Sequence, residues 1–415
     1  MTMTEILRSV KRASVDLHSL SEEKINSVLM ALADETEKNV DFLLRENLKD
    51  LNLMDKANPM YDRLMLNAER IKNIADDLRN LAGLPSPLNR LLSENTLSNG
   101  LKISKISVAF GVIGIIYESR PNVSFDVFSL CFKSGNACIL KGGSDAYNSN
   151  SAIISLIHNV LNKFDINPDV VTLLPAGREY LGELLVARDF VDLIIPRGSK
   201  DLINYVRDNA KVPVIETGAG VCHTYIDFSA DTKMASEIVF NAKTRRVSVC
   251  NALDCVIINR QRLNDLPQIL SPLATKNVII YADEDSYNVL KGHYPDNLLC
   301  QASSQHFGLE FQDYKMAVKT VNDIVEAVQH ISRYSSKHSE AIVSASPENI
   351  DYFDKNVDAA CVYTNAPTSF TDGAQFGFGA EIGISTQKMH ARGPMALNEM
   401  TTYKWIIKGE GQIRN

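Results

Sequence analysis

Two patterns of hydrophobic positions divide the chain near residue 100. From Ile6 to about Leu92, apolar residues recur three and four positions apart, as in Glu22–Asp34, and charged residues fill the remaining positions. That spacing is typical of amphipathic helices, because it places the apolar side chains on one helical face. The pattern therefore predicts an N-terminal helical segment without strands.

From Leu101 onward, short apolar runs alternate with helical stretches such as Asn322–Tyr334. This alternation predicts parallel sheets covered by helices, and its restart after Cys250 predicts two α/β units. A change of composition near Phe228–Asp231 separates them. The predicted strands are Ile106–Tyr117, Ala137–Leu140, Val170–Leu174, Val191–Ile195, Val212–Ile215, Cys255–Ile258, Asn277–Tyr281, Met316–Val321 and Ala341–Val343.

The C-terminal stretch has a different texture. Residues 372–385 are rich in glycine, and Glu399–Lys408 has the pattern of a lone strand. A lone strand needs a partner to satisfy its backbone hydrogen bonds. Pairing with a second copy of the chain would supply one, so we expect a homo-oligomer.

Composition and charge exclude several classes of protein. The formal net charge of −7 gives no overall basic surface, so we do not expect a nucleic-acid partner. No run approaches the roughly 18 apolar residues of a membrane span, and the N-terminus lacks the apolar core of a secretory signal. The seven cysteines have no spacing typical of a metal site or a disulfide framework, which favours the reducing cytoplasm and no bound metal.

Cys250 is the candidate nucleophile. It precedes the strand-like run Cys255–Asn259, and Lys243, Arg245 and Arg246 lie within seven residues upstream. Nearby cations lower the pKa of a thiol and favour the thiolate that attacks carbonyl carbon. The alternative is a small buried hydrophobic residue, which is the commonest state of a free cysteine.

Two strand-turn-helix corners are candidates for nucleotide binding, although the chain has neither a G-x-G-x-x-G nor a P-loop motif. At the first corner, Lys141 could meet a ribose or its 2′-phosphate, with Ser144 as the helix cap. At the second, the N–H groups of Gly198 and Ser199 could hold a diphosphate. Either corner could instead be an ordinary turn with a capping serine.

Asn122 follows a strongly apolar strand and Pro121. Its side-chain amide could donate a hydrogen bond to an oxyanion, a role in which one lost donor costs about 3–4 kcal/mol of barrier. The alternative is an ordinary turn asparagine.

Taken together, these segments closely resemble gamma-glutamyl phosphate reductase, a branch of the aldehyde dehydrogenase superfamily, over residues 5–408. The resemblance implies NADPH-dependent reduction of L-glutamyl 5-phosphate to glutamate 5-semialdehyde and phosphate. The segments that carry it are Gly111–Asn122, Lys133–Ser144, Ile194–Gly198, Cys222–Asp227, Asn241–Thr244 with Cys250–Ala252, and Ala380–Pro394.

The resemblance also implies an α/β, aldehyde-dehydrogenase-like fold with two doubly wound domains and a small β oligomerisation flap. On that basis we assign residues 1–230 to the helical segment and a Rossmann-like cofactor domain. Residues 231–365 form the catalytic domain with Cys250, and residues 366–415 form the return segment and oligomerisation strand.

Site residues transfer by position. Cys250 matches the family's nucleophile and Asn122 the oxyanion asparagine. Lys141 matches the residue at the adenosine ribose, Gly198 and Ser199 the diphosphate turn. Glu310 aligns with a glutamate at the nicotinamide ribose. The chain departs from the family at residues 245–249, which read Arg-Arg-Val-Ser-Val where Gln-Arg-Pro-Gly-Val is usual.

Candidates for binding the substrate are less specific. Arg120, Arg246, His390 and Arg392 could bind its carboxylate or phosphate, since guanidinium groups suit such anions. Each could equally form a structural ion pair. His223 is expected to pack at a strand junction.

Three functions stay open at this point. The first is the phosphate-releasing reductase, which the Ile-Pro-Arg-Gly and His-Ala-Arg-Gly-Pro strings favour. The second is a hydrolytic aldehyde dehydrogenase, in which Glu216 would activate water. The third is a catalytically silent partner of glutamate 5-kinase, against which Cys250 and its basic neighbours argue.

Overall fold

The computed structural model describes residues 2–56, 58, 60–118, 120–218 and 220–414. The chain forms two compact units. One comprises Met1–Thr217, Gly377–Gly383 and Met395–Asn415, and the other comprises Gly218–Phe376 and Ile384–Pro394.

The first unit begins with helices, as the periodicity predicts, and continues as α/β structure. The predicted helical segment is slightly too long, because α5 ends at Gly83 and a strand begins at Leu91. Its elements up to Thr217 are α1 (Met3–Asp16), α2 (Glu22–Lys38), α3 (Val40–Leu51), α4 (Tyr61–Leu64), α5 (Ala68–Gly83), β1 (Leu91–Thr96), β2 (Lys102–Ala109), β3 (Val112–Tyr117), α6 (Asn122–Lys133), β4 (Ala137–Lys141), α7 (Tyr147–Lys163), β5 (Val171–Leu173), α8 (Arg178–Leu185), β6 (Leu193–Arg197) and α9 (Lys200–Asn209).

A parallel four-stranded sheet in the order β5-β4-β3-β6 forms the centre of this unit. Every residue of β3 and β4 is buried, as expected for parallel strands covered on both faces. The predicted strand Val212–Ile215 is wrong, because among the described residues Val214 makes only an isolated bridge to Ile194. One bridged residue is too short a pairing to add a strand to the sheet.

The predicted strand Ile106–Tyr117 is two strands rather than one. The chain turns between β2 and β3 at Gly111, whose φ of +125° favours glycine. A Cβ at this position would also lie 2.3 Å from Asp192 Oδ2. The turn separates an antiparallel strand from a parallel one, a change that hydrophobicity alone does not reveal.

The second unit contains a seven-stranded parallel sheet in the order β10-β9-β11-β8-β7-β12-β13. Composition placed the domain boundary near residue 230, whereas β7 already belongs to this sheet. The elements are β7 (Cys222–Ile226), α10 (Thr232–Thr244), β8 (Leu253–Asn259), α11 (Leu266–Leu270), β9 (Ile279–Ala282), α12 (Glu284–Leu290), β10 (Leu299–Gln301), β11 (Lys315–Val321), α13 (Ile324–Tyr334), β12 (Ser339–Val343), α14 (Pro347–Asn356) and β13 (Cys361–Thr364).

Alternate residues of β8 enter two separate cores on the two faces of this sheet. Val256 and Ile258 pack on the face that α10, α11 and α12 cover. Cys255 and Ile257 pack on the face that α13 and α14 cover. The uninterrupted apolar run of β8 thus reflects burial on both sides.

Near the C-terminus the chain adds the two-stranded sheet of β14 (Gly383–Ser385) and β15 (Gly393–Met395), and then β16 (Thr401–Lys408). The prediction that the last strand is alone is wrong. β16 pairs antiparallel with β2, from Thr401 opposite Ala109 to Lys408 opposite Lys102, in a sheet of order β1-β2-β16. This partner is almost 300 residues away in sequence, so local patterning could not identify it.

Among the described residues, every helix is too short or too polar to cross a membrane.

Candidate active site

Cys250 lies in the connection between α10 and β8, as predicted. Its side chain is half-buried, whereas Cys222 and Cys255 nearby in the sheet are fully buried. A half-buried cysteine in this connection is accessible to a small substrate, and the two fully buried cysteines are not.

The backbone of Cys250 lies against Gly220. A Cβ on Gly220 would stand 1.5 Å from the carbonyl oxygen of Cys250, so only glycine fits at this position. The Cys222 thiol donates a hydrogen bond to the same oxygen at 3.3 Å. The segment before β7 therefore fixes the position of residues 245–252, the loop that carries the candidate nucleophile Cys250.

Asn251 anchors the other side of the loop. Its buried amide nitrogen donates to the carbonyl oxygen of Thr371 at 2.9 Å, and the Thr368 hydroxyl donates to the carbonyl oxygen of Asn251 at 2.8 Å. These two bonds tie the residue after Cys250 to residues 368–371.

Glu310 reaches the same region. Its Oε1 accepts a hydrogen bond of 3.0 Å from the backbone N–H of Gly220, the residue that contacts Cys250. The resemblance assigns Glu310 to the nicotinamide ribose. Glu310 follows Cys250 by about 60 residues in the sequence, and the structure brings its carboxylate next to the Gly220–Cys250 contact.

The sequence hypothesis that Lys243 acts on the Cys250 thiol or on the leaving phosphate does not match its surroundings. Its side chain is fully buried, and its ammonium nitrogen lies 3.8 Å from Asp254 Oδ1. Burial lowers the pKa of Lys243 and raises the pKa of Asp254 to about 7. Lys243 thus forms a buried ion pair with Asp254, whereas Arg245 and Arg246 are exposed.

Asn122 is the first residue of α6, and its amide nitrogen donates to Asp126 Oδ2 at 3.0 Å. Burial raises the pKa of Asp126 to about 6, against the opposing charges of Arg197 and Arg120. The Asn122 side chain is therefore oriented by a partly buried carboxyl group one helical turn away. Arg120 lies near the same carboxyl group, so its charge contributes to this cluster.

Lys141 ends β4, and its ammonium donates to the carbonyl oxygens of Gly142 and Ala176 at 3.0 and 3.1 Å. Burial lowers its pKa. The prediction that Ser144 caps the following helix is wrong. The carboxylate of Asp50 on α3 instead accepts from the backbone N–H groups of Asn148 and Ser149 in the first turn of α7.

The turn at Gly198 and Ser199 opens α9 as predicted, and the Ser199 hydroxyl accepts from Leu202 N at the helix N-terminus. Its backbone N–H already holds an anion, because Ser199 N donates to Glu118 Oε2 at 2.8 Å. A Cβ on Gly198 would lie 2.4 Å from that oxygen. The carboxylate of Glu118 stands where the resemblance places a diphosphate.

The substrate-binding candidates have different environments. Arg392 donates to Asp358 Oδ1 at 2.7 Å, and Arg392 and Lys388 hold the pKa of Asp358 well below its usual range. This is the structural ion pair that sequence reasoning left open. Arg246 and His390 are exposed.

Oε2 of Glu216 lies 3.6 Å from Nη1 of Arg207. His223 is buried in β7, as expected.

In the second unit the structure brings Cys250 and Glu310 to one loop cluster. In the first unit it places Asn122, Lys141, Gly198 and Ser199 after strands that are neighbours in one parallel sheet.

Sequence reasoning missed Gly220, Glu118 and Asp126. Nothing in the sequence shows that Gly220 meets the backbone of Cys250 or that Glu118 meets the backbone of Ser199.

Comparison with known proteins decides the family. The family model described as "Aldehyde dehydrogenase family" matches residues 3–285 of this chain. A gamma-glutamyl phosphate reductase of Bacteroides thetaiotaomicron is 62% identical, covering 98% of this chain and 97% of the relative. One from Parabacteroides distasonis is 60% identical over the full length of both. The crystal structure of the Thermotoga maritima gamma-glutamyl phosphate reductase superposes with a TM-score of 0.95 at 38% identity and covers 100% of both chains.

The chain belongs to the gamma-glutamyl phosphate reductase family. This membership confirms the family predicted from the sequence, together with the aldehyde-dehydrogenase-like α/β fold and its helical N-terminus. The candidate site can therefore be compared with those of gamma-glutamyl phosphate reductases.

The contact between Gly220 and the backbone of Cys250 generates a prediction. Gly220→Ala must displace the Cys250 carbonyl, and a shift of about 1 Å at a catalytic group lowers a rate by about a hundredfold. We expect kcat/KM and the rate of Cys250 alkylation to fall together. Gly182→Ala is the matched control, since its Cβ meets nothing within 4 Å. Equal activity of the two variants would contradict this prediction.

Proposed function

We propose that this chain catalyses the NADPH-dependent reduction of L-glutamyl 5-phosphate to L-glutamate 5-semialdehyde and phosphate, a step of proline biosynthesis from glutamate. The observation that carries the proposal is the half-buried Cys250, held by Gly220, Cys222 and Asn251 in the loop before β8. Relatives that share about 60% of its sequence bear the name of this activity.

The reaction starts at Cys250. Its thiolate attacks the acyl carbon of the substrate, the carbon–oxygen bond to phosphate breaks, and a thioester remains on the sulfur. We assign the stabilisation of the oxyanion to Asn122, whose amide retains a second N–H beyond the one given to Asp126. Because Lys243 is committed to Asp254, we assign the charge that eases the departure of phosphate to Arg245 and Arg246.

The chain offers residues suited to a nicotinamide dinucleotide. The N–H of Ser199 already donates a hydrogen bond to the carboxylate of Glu118, which supports an anion-binding role for this helix N-terminus. We propose that Gly198 and Ser199 hold the diphosphate, that Lys141 and Ser144 face the adenosine ribose, and that Glu310 faces the nicotinamide ribose. A bound nicotinamide supplies the hydride that converts the thioester to the aldehyde and frees Cys250.

Contacts of Glu216 favour the reductase over a hydrolytic dehydrogenase. Its carboxylate Oε2 lies 3.6 Å from Nη1 of Arg207, so Glu216 takes part in an ion pair. A water-activating glutamate must instead direct a carboxylate oxygen at the attacking water.

We propose a cytoplasmic location and small-molecule substrates. All seven cysteines are free thiols, which suits a reducing compartment. Association with a glutamate 5-kinase stays a prediction.

The first test addresses the nucleophile. In the oxidising direction with glutamate 5-semialdehyde, we expect reduction of the nicotinamide cofactor to require phosphate, because phosphate resolves the thioester. Cys250→Ser should lower kcat by at least a thousandfold, since a hydroxyl is a much weaker nucleophile than a thiolate. Cys300→Ser, a half-buried cysteine on β10, is the matched control and should retain activity. Turnover without phosphate would favour the hydrolytic enzyme, and undiminished turnover of Cys250→Ser would remove Cys250 from the mechanism.

The second test addresses the choice of NADPH. If Lys141 binds the 2′-phosphate, Lys141→Gln loses a charged hydrogen bond, which costs about 1.5–3 kcal/mol. We therefore expect KM for NADPH to rise about tenfold or more while KM for NADH changes little. Lys163→Gln, at the exposed end of α7, should change neither value. Equal effects on the two cofactors would show that Lys141 does not contact the 2′-phosphate.

We also propose that the chain forms homo-oligomers through the sheet of β1, β2 and β16. β16 lies at an edge of this sheet and exposes Tyr403, Trp405 and Ile407 by 51–57%. An exposed edge strand with large apolar side chains is suited to pairing with a second copy.

Size-exclusion chromatography with light scattering measures this assembly. Trp405→Glu should shift the protein to a smaller species, because it places a charge in the proposed interface. Leu48→Glu, at a position of equal exposure on α3, should leave the mass unchanged. A monomeric wild-type protein at micromolar concentration would overturn the proposal.

A further inference from the structure

A row of polar side chains crosses the buried sheet of the second unit. Glu340 on β12 is the register partner of His223 on β7, and His223 is the register partner of Cys255 on β8. Register partners in neighbouring strands point to the same face, here the face that α13 covers. His330 projects from α13 onto this row, and all four side chains are buried.

Three of these residues bring metal-ligating atoms together. One ring nitrogen of His223, one of His330 and the sulfur of Cys255 all lie within 4.8 Å of one another. The contact between Cys255 Sγ and His330 Nε2 measures 3.9 Å. Imidazole nitrogen and thiolate sulfur are the ligand types that zinc prefers.

The second observation concerns the unused nitrogen of His223. Its Nδ1 lies 3.0 Å from Glu340 Oε2, whereas its Nε2 is buried and has no hydrogen-bond partner. A buried polar atom without a partner destabilises the folded protein. A carboxylate that holds one histidine nitrogen while the other faces a metal is the usual outer-shell arrangement of zinc sites.

We propose that His223, His330 and Cys255 form a zinc-binding site in the second unit, with Glu340 orienting His223. Zinc forms bonds to two imidazole nitrogens and to the Cys255 sulfur, and the thiol proton leaves to solvent. The site is then neutral overall, because the 2+ charge of zinc is balanced by the thiolate and by the Glu340 carboxylate.

The distances allow this coordination with small movements. Tetrahedral zinc separates its nitrogen and sulfur ligands by about 3.3–3.6 Å, so each side chain would move by roughly an ångström or less. A cavity of about 250 Å³ is lined by His330, Phe307 and Tyr334, so it adjoins one of the three proposed ligands. Water would take the fourth coordination position, as it does at zinc sites with three protein ligands.

The simpler interpretation is that the Cys255 thiol donates a weak hydrogen bond to His330. That bond leaves His223 Nε2 without a partner, and zinc binding satisfies both histidines.

Cobalt and zinc titrations of the full-length protein test the proposal. The protein is first stripped with a chelator, and every variant carries Cys250→Ser so that the candidate nucleophile cannot bind metal. We expect one Co²⁺ per chain, with the visible bands of tetrahedral cobalt and a thiolate-to-cobalt charge-transfer band, and displacement of cobalt by Zn²⁺. Zinc should also raise the melting temperature by a few degrees.

Cys255→Ala should abolish the charge-transfer band and weaken zinc binding at least a hundredfold, and His330→Gln should weaken it comparably. Cys300→Ala, on an outer strand of the same sheet, is the matched control and should bind as the parent does. Circular dichroism of the metal-free variants shows whether each folds, and the two independent substitutions keep the test decisive if one does not. Absence of the band in the folded parent, or a band that persists in Cys255→Ala, would overturn the proposal.

Discussion

The position of the candidate nucleophile depends on the close approach of two backbone segments. The carbonyl oxygen of Cys250 occupies space that any side chain at position 220 would fill. Around this contact, Cys222 donates to the same oxygen, Asn251 is tied to residues 368–371, and Glu310 accepts the Gly220 N–H. Several distant parts of the chain thus hold one short loop, which keeps the loop in place although it lacks the usual Pro-Gly sequence.

Charges near the site are balanced mainly by the protein itself. Lys243 lies beside Asp254 in the interior, Arg392 is bound by Asp358, and Glu118 accepts the Ser199 N–H. A buried charge without a partner would cost several kcal/mol, so the pairing of Lys243 with Asp254 is expected. The consequence is that a basic residue near the nucleophile in sequence need not act on it. Glu118 has a further consequence, since a diphosphate at Ser199 would have to displace it.

Much of the fold could be predicted because it follows from local periodicity. The spacing of apolar residues in α2 and the buried runs of β4 and β8 are visible in single segments. Errors arose where the structure depends on distant partners. β16 pairs with β2 across almost the whole chain, and Val214 makes only one bridge, to Ile194 of β6. The cap of α7 comes from Asp50 on α3, about a hundred residues away, rather than from nearby Ser144.

The sequence by itself determined the family, the helical N-terminus, the parallel α/β units and the position of Cys250 between a helix and a strand. These follow from motif order and from periodicities that a single segment carries. Only the tertiary structure decided which atoms meet: Gly220 with the Cys250 carbonyl, Lys243 with Asp254, and His223 with Glu340. The physical reason is that register and packing join residues far apart in sequence, and the free energy of a buried charge or an unpartnered nitrogen depends on those neighbours.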